Sequence, residues 1–287
     1  MTTASAVVIV SNWQAMKFAT LIDNSSNDND TLRAEHGLSF WMQTDGKSFI
    51  IDTGASALFA ENARIMGIDI AQADYLILSH AHADHTGGLS TFLTLNSKAK
   101  IYLSSKVCGR HCYSTRRGAK RNISIDNNLL HEHKERFVFI DKSISITKNV
   151  TLVCEFPATH PQPKANSTLL ANDTADDFSH EVSIIVAASN GTATVISPCS
   201  HRGILNILDA AKNHKVTNFI GGLHLLESDE LNSFESNEEI YNLAHEISAR
   251  GISLYTGHCT SATAKNILME VLRERFAEFH CGFNINL

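Results

Sequence analysis

The sequence predicts a mixed α/β (α+β) protein, an αββα sandwich in which two mixed β-sheets pack face to face under outer helices. Three observations predict it. Two hairpin signals, Asp45-Gly46 and Asn190-Gly191, each sit between short runs of β-type residues. After each hairpin, segments of helical spacing alternate with short, continuously apolar runs, the pattern of strands buried on both faces. Hydrophobic residues make up 43% of 287 positions against 19% charged, enough for a sizeable core. Hairpins with interspersed helices are the layer pattern of two sheets covered from outside.

The elements follow in chain order. Within residues 1–10 a short apolar run is long enough for a strand; no basic segment precedes it, so it does not read as a signal peptide. Residues 24–30 carry no pattern. Residues 37–43 and 47–52 form the first hairpin, and 55–66 have helical spacing at Leu58, Phe59, Ala63 and Met66 before Gly67 stops the helix. Residues 75–78 are a buried strand, 101–103 another, and 129–136 an exposed helix. Residues 157–177 are unpatterned, an active-site loop or an excursion. The second pass has a hairpin of 182–188 and 192–196, an amphipathic stretch at 204–211, a strand at 216–220, a helix over 237–250 ended by Gly251, and a strand at 252–255. A helix over 263–276 and a strand over 279–285 close the chain. With no fixed-period repeat and no linker, residues 1–287 read as one domain of two similarly built halves, roughly 1–142 and 143–287.

Charge and cysteine usage narrow the class. Lys+Arg 24 against Asp+Glu 30 gives −6, which argues against nucleic-acid or anionic-membrane binding. No stretch approaches the roughly 18 apolar residues of a membrane span. Six cysteines without a Cys-x-x-Cys pair read as scattered reduced thiols, so a cytoplasmic location is expected. Nothing in the sequence argues for or against a dimer.

Chemistry concentrates in Ser79-His80-Ala-His82-Ala-Asp84-His85-Thr-Gly87-Gly88, directly after the 75–78 strand. In extended chain His80 and His82 point the same way and can grip one metal; Asp84 and His85 follow as the chain turns and can face a second. Imidazole and carboxylate suit Zn²⁺, with Mn²⁺ or Fe also fitting. Further ligands are expected at strand ends, where His201 and His258 lead and His224 is more a substrate-facing group. As ligands His36, His160 and His180 rank lower, and His36 is placed with His224 among the substrate-binding residues. Asp52 is placed either to accept an N–H from a ligating histidine or to cap the helix that follows. Cys199 and Cys259 read as small buried residues. The segment 106–121 holds Lys106, Arg110, Arg116, Arg117, Lys120 and Arg121 and no acid; it is expected to form a lid over an anion, with Arg116 and Arg117 binding substrate.

The His80-x-His82-x-Asp84-His85 run, preceded by Asp52-Thr-Gly54, resembles the metallo-β-lactamase superfamily. Glu35-His36-Gly37-Leu38-Ser39, Cys199-Ser-His201-Arg-Gly, Gly221-Gly-Leu-His224-Leu and Gly257-His258-Cys-Thr extend the resemblance to one branch, which includes the methanopterin-pathway dihydropterin/ribofuranosylaminobenzene 5'-phosphate synthase and bacterial relatives. The resemblance implies an αββα fold and a metal pair held by His80, His82, Asp84, His85, His201 and His258. Superfamily hydrolases usually carry an aspartate near position 199, and this chain has none there.

The expected function is a metal-dependent hydrolase that attacks a small phosphorylated or otherwise anionic substrate through a metal-bound hydroxide, with Asp84 orienting it. Two other readings stand beside it. One is a pterin-type transferase or synthase, the other a metal-holding binding protein or sensor.

Overall fold

The computed structural model describes residues 15–27, 31–228 and 231–287. The run expected as a strand within residues 1–10 lies outside them, as do the last three residues of the unpatterned 24–30 stretch.

Two seven-stranded sheets dominate, and they are built alike. In the first, the strands Asn284–Asn286, Lys17–Ile22, Ser39–Thr44 and Lys47–Ile51 run antiparallel to one another, and Tyr75–Ile77, Lys100–Ser104 and Phe137–Ile140 then add in parallel. The second places Ile144–Ser145, Val150–Val153, Ser183–Ala187 and Thr192–Ile196 antiparallel, then Lys215–Ile220, Ser253–Thr256 and Phe276–Glu278 in parallel. Alternation along the strands decides which side chains meet. Phe40, Phe49, Ile51 and Ile77 face Ile184, Val186, Ile196 and Ile220 in the layer between the sheets. Ile50 and Leu76 turn outward to meet Phe59, Leu89 and Phe92 from the helical side. On the other side Val195 and Phe219 pack under Ile207, Ile240 and Leu268. Two sheets with an apolar layer between them and helices outside match the predicted sandwich. No helix among the described residues is long and apolar enough to cross a membrane.

Several elements differ from expectation. The strand Lys17–Ile22 lies inside the first sheet, between Asn284–Asn286 and Ser39–Thr44, although its pattern did not stand out. The first helix begins at Leu58 rather than at 55, because the Glu35 carboxylate accepts the N–H groups of Ala55 and Ser56 and holds them in a turn. The last helix stops at Leu272: Arg273 takes a left-handed φ of 52°, and Phe276–Glu278 leaves to pair in parallel with Ser253–Thr256. The final strand is correspondingly split, and Asn284–Asn286 crosses to the first sheet, pairing with Lys17–Ala19.

The basic segment is not a free lid. Cys112–Ser114 and Arg121–Asn122 are strands of a third, four-stranded antiparallel sheet completed by Leu169–Ala171 and Thr174–Ala175 from the unpatterned 157–177 region. Each segment is too short to read as a strand alone; pairing across more than fifty residues makes the sheet. Two of its cations are already used inside the fold: Arg110 pairs with Asp176 and Asp177, and Lys120 with Asp173.

Candidate metal centre

Parallel strands put their C-terminal ends on one edge, and that is where the candidate residues gather. Asp52 follows Lys47–Ile51, and His80 follows Tyr75–Ile77. His201 comes after Thr192–Ile196, His224 after Lys215–Ile220, and His258 after Ser253–Thr256. The chain reverses sharply at these ends. Asp52, Ser200, His224 and His258 take φ values of 57°, 53°, 54° and 48°, a left-handed region that costs such residues roughly 1–3 kcal/mol each. Hydrogen bonds hold them there. His258 N–H, for example, donates to buried Asp23 at 2.8 Å.

His80, His82, His85 and His201 are buried, and the Nε2 atom of each has no hydrogen-bond partner. For His80, His85, His201 and His258, the other ring nitrogen is fixed by its neighbours. Asp52 Oδ2 can only accept, so His85 Nδ1–H donates to it at 2.7 Å. Ser79 Oγ–H donates to the same carboxylate at 2.6 Å, which leaves its oxygen to accept from His80 Nδ1–H at 2.8 Å. Asn166 Nδ2 donates to the His201 carbonyl, turning its Oδ1 towards His201 Nδ1 at 3.0 Å. Asn24 does the same for His258, with Nδ2 on the carbonyl and Oδ1 2.9 Å from Nδ1. In all four imidazoles Nδ1 is therefore the proton-bearing nitrogen, and Nε2 is the atom left to a metal.

Among the described residues several overlapping groups of donors converge, and two of them divide the six expected ligands between them. His80, His82 and His201 converge, and so do Asp84, His85 and His258; within each set the donor atoms lie within 4.8 Å of one another. Asp84 Oδ2 is 3.5 Å from His258 Nε2 and 3.8 Å from His85 Nε2. Burial drives the histidines towards neutrality. It pushes His82 down to about 3, His258 to about 4, and His80 and His201 well below the usual range. Burial acts on His85 in the same direction, but the Asp84 and Asp52 carboxylates outweigh it and hold that ring up at about 9. Burial also opposes ionisation of Asp84, and His85 and His258 nevertheless keep it well below the ordinary carboxylate range. Buried neutral imidazoles with unpartnered lone pairs, beside carboxylates that favour positive charge, fit divalent cations. The metals they suit are Zn²⁺, Mn²⁺ or Fe.

The centre opens into a cleft of about 380 Å³ whose walls include His36, Asp84, Arg116, Arg117, Arg121 and His224. Arg116 comes in on the third sheet. Its guanidinium donates to His224 Nε2 at 3.3 Å, and its Nε is buried without a partner. His224 is buried and points Nδ1 at Cys199 Sγ, 3.5 Å away. Burial, then Arg116, keeps this ring neutral. His36 lies 3.7 Å from Asp84 Oδ2.

Some members of the centre were not read from the sequence. Asn24 and Asn166 sit in the two unpatterned regions, where no motif marks them. Cys199 is buried, as expected, yet its sulfur lies within 4.8 Å of donors on both His80 and His85, between the two sets; its position two residues before His201 was the available signal. Buried Glu181 accepts the N–H groups of His201 and Arg202 at 2.8 and 2.7 Å. His180 accepts from Ala81 N–H and faces Asp176, bracing the His80–His82 segment. His160 is elsewhere, bonded to Asp209. Asp52 caps no helix; the first helix has Ala57 at its N-cap.

A sequence profile of the metallo-beta-lactamase superfamily matches residues 32–108. The 7,8-dihydropterin-6-methyl-4-(beta-D-ribofuranosyl)-aminobenzene-5'-phosphate synthase of Methanocaldococcus jannaschii is 25% identical over 93% of this chain and 95% of its own length. The crystal structure of Tm1679, a metal-dependent hydrolase of the β-lactamase superfamily, superposes with a TM-score of 0.78 at 28% identity, covering 95% of this chain and 99% of that one. A diphosphatase of the PhnP family shares the fold, with a TM-score of 0.55 at 14% identity over 95% of this chain and 97% of its own. Residues 32–108 thus match the metallo-β-lactamase superfamily, and over nearly its whole length the chain shares the metallo-β-lactamase fold and is similar to the synthase and to the metal-dependent hydrolase.

Proposed function

We propose that this protein is a metal-dependent hydrolase, with a zinc pair, acting on a small phosphorylated substrate. The observation that carries the reading is that His82, Asp84 and His258 line the same cleft as Arg116, Arg117 and Arg121, with His80, His85 and His201 gathered behind them. His80, His82 and His201 would hold one ion, and Asp84, His85 and His258 the other. Bound there, a divalent pair would supply Lewis acidity and lower the pKa of water towards about 7.

The chain's own groups do the rest. The three arginines neutralise the substrate's anionic charge and turn its reactive end towards the histidines. Asp84, held ionised, accepts the hydrogen bond of the attacking water and sets its approach. His224, kept neutral under Arg116, and His36 border the space the substrate fills.

The test is turnover of a panel of phosphomonoesters and phosphodiesters by metal-loaded protein. Asp84→Ala is expected to abolish turnover. Arg116→Ala and Arg117→Ala are expected to raise KM roughly ten-fold each, the effect of about 1.4 kcal/mol, with kcat changed less. Full-length similarity to a phosphate-carrying pterin synthase favours a second reading, transfer onto a phosphorylated acceptor. Protein that holds metal and binds a dihydropterin diphosphate, but hydrolyses none of the panel, would establish that one instead.

A further inference from the structure

Two cysteines sixty residues apart meet at the centre. Cys199 Sγ and Cys259 Sγ are 3.1 Å apart, and both residues line the cleft. Their neighbours hold them in register: His224 N–H donates to Cys259 Sγ at 3.3 Å, and His224 Nδ1 faces Cys199 Sγ. Gly222 makes the room, since a Cβ there would lie 2.4 Å from Cys259 Sγ. Cys112 and Cys281, also buried, have no sulfur partner among the described residues: Cys112 faces an Asp176 carboxylate oxygen, and Cys281 accepts from Asp23 N–H and faces the Asp23 and Arg33 carbonyls.

We propose that Cys199 and Cys259 form a peroxide-sensitive thiol pair whose disulfide staples the His201 and His258 loops together. The sulfurs need move only about 1 Å to reach bonding distance, near 2.05 Å. In the first step Cys199 Sγ attacks one peroxide oxygen; the O–O bond breaks, and water leaves with the thiol proton. Cys259 Sγ then attacks the sulfenic sulfur, the S–O bond breaks, the S–S bond forms, and a second water carries off the remaining proton. Two thiols lose two electrons, and one hydrogen peroxide becomes two waters.

The linkage has a consequence for the centre, and this part rests on the metal reading above. Once bonded to Cys259, Cys199 sulfur can no longer turn a free lone pair and thiol towards the two ligand sets it lies between, and the loops that carry one ligand of each set are tied to each other. Metal is expected to leave.

The whole protein, metal-loaded, is treated with hydrogen peroxide, alkylated, digested and mapped by mass spectrometry. The expected result is a cross-linked peptide pair containing Cys199 and Cys259, absent after dithiothreitol, with bound metal falling on oxidation and returning on reduction. In Cys259→Ala, dimedone should label Cys199 as the stranded sulfenic acid. Full alkylation of both cysteines under peroxide that oxidises exposed Cys108 would overturn the proposal, as would Cys199 appearing as sulfinic acid without the cross-link. A cross-link in protein that never held metal would keep the thiol pair and discard the metal reading.

Discussion

Single residues at this centre act mainly by controlling charge. Burial pushes Glu181 up from 4.5 to about 7, against the two backbone N–H groups it accepts. A carboxyl whose folded pKa lies above its unfolded one stabilises most below the unfolded value, and that contribution disappears as pH rises through the folded value. Relative to Glu181→Gln, metal-free wild type should therefore lose stability between about pH 4.5 and 7, with a slope approaching about 1.4 kcal/mol per pH unit, and run parallel to the variant above that. Urea unfolding of both proteins across pH 4–9 measures the difference; a constant offset would show that the carboxyl does not titrate in this window. Legibility at this scale was uneven. Spacing two residues apart made His80 and His82 readable, and adjacency to a strand end made His201 and His258 readable. Asn24 and Asn166, which set two tautomers, were not, because an amide in an unpatterned loop looks the same whether or not a histidine faces it.

At the scale of elements, what positions the site is close approach of backbone. Gly88 caps the helix Leu89–Leu95 directly after the histidine run, and a Cβ there would lie 2.3 Å from the Thr53 carbonyl and 2.5 Å from that of Ser56. Gly88→Ala must push the Thr53–Ser56 loop away from the histidine segment, an overpacking cost of about 1–3 kcal/mol that lowers Tm by roughly 2–12 °C in a protein of this size. It should also weaken metal retention, since the displaced segment carries Asp52 and His85. Ser90→Ala, exposed on the same helix, should do neither; differential scanning calorimetry with metal analysis reads both. The hairpins were legible because Asp45-Gly46 and Asn190-Gly191 specify their turns locally. The C-terminal end was not: helical spacing continues through Val271 to Phe276, while the break at Arg273 is decided by the open edge of Ser253–Thr256 that Phe276–Glu278 fills.

For the whole molecule, the two candidate ligand sets tie one sheet to the other. His80, His82, Asp84 and His85 come from the first, and His201 and His258 from the second. A cation bound only by the folded chain stabilises it by about 2.7 kcal/mol at a hundred times its Kd. Zinc added to chelator-stripped protein should therefore raise Tm, and His201→Ala or His258→Ala should shrink the rise by removing the second sheet's donor. Equal shifts in wild type and both variants would place the metal elsewhere. The sequence by itself determined the layered fold and the core of the centre, because hydrophobic period, turn chemistry and ligand spacing are local properties that a short window displays. Only the tertiary structure decided that the basic segment and the unpatterned 157–177 region pair into a third sheet bringing Arg116 over His224, that Asn24 and Asn166 face the candidate ligands His258 and His201, and that Cys199 meets Cys259. Each of these depends on residues far apart in the chain reaching a few ångströms of each other, and no local pattern encodes that distance.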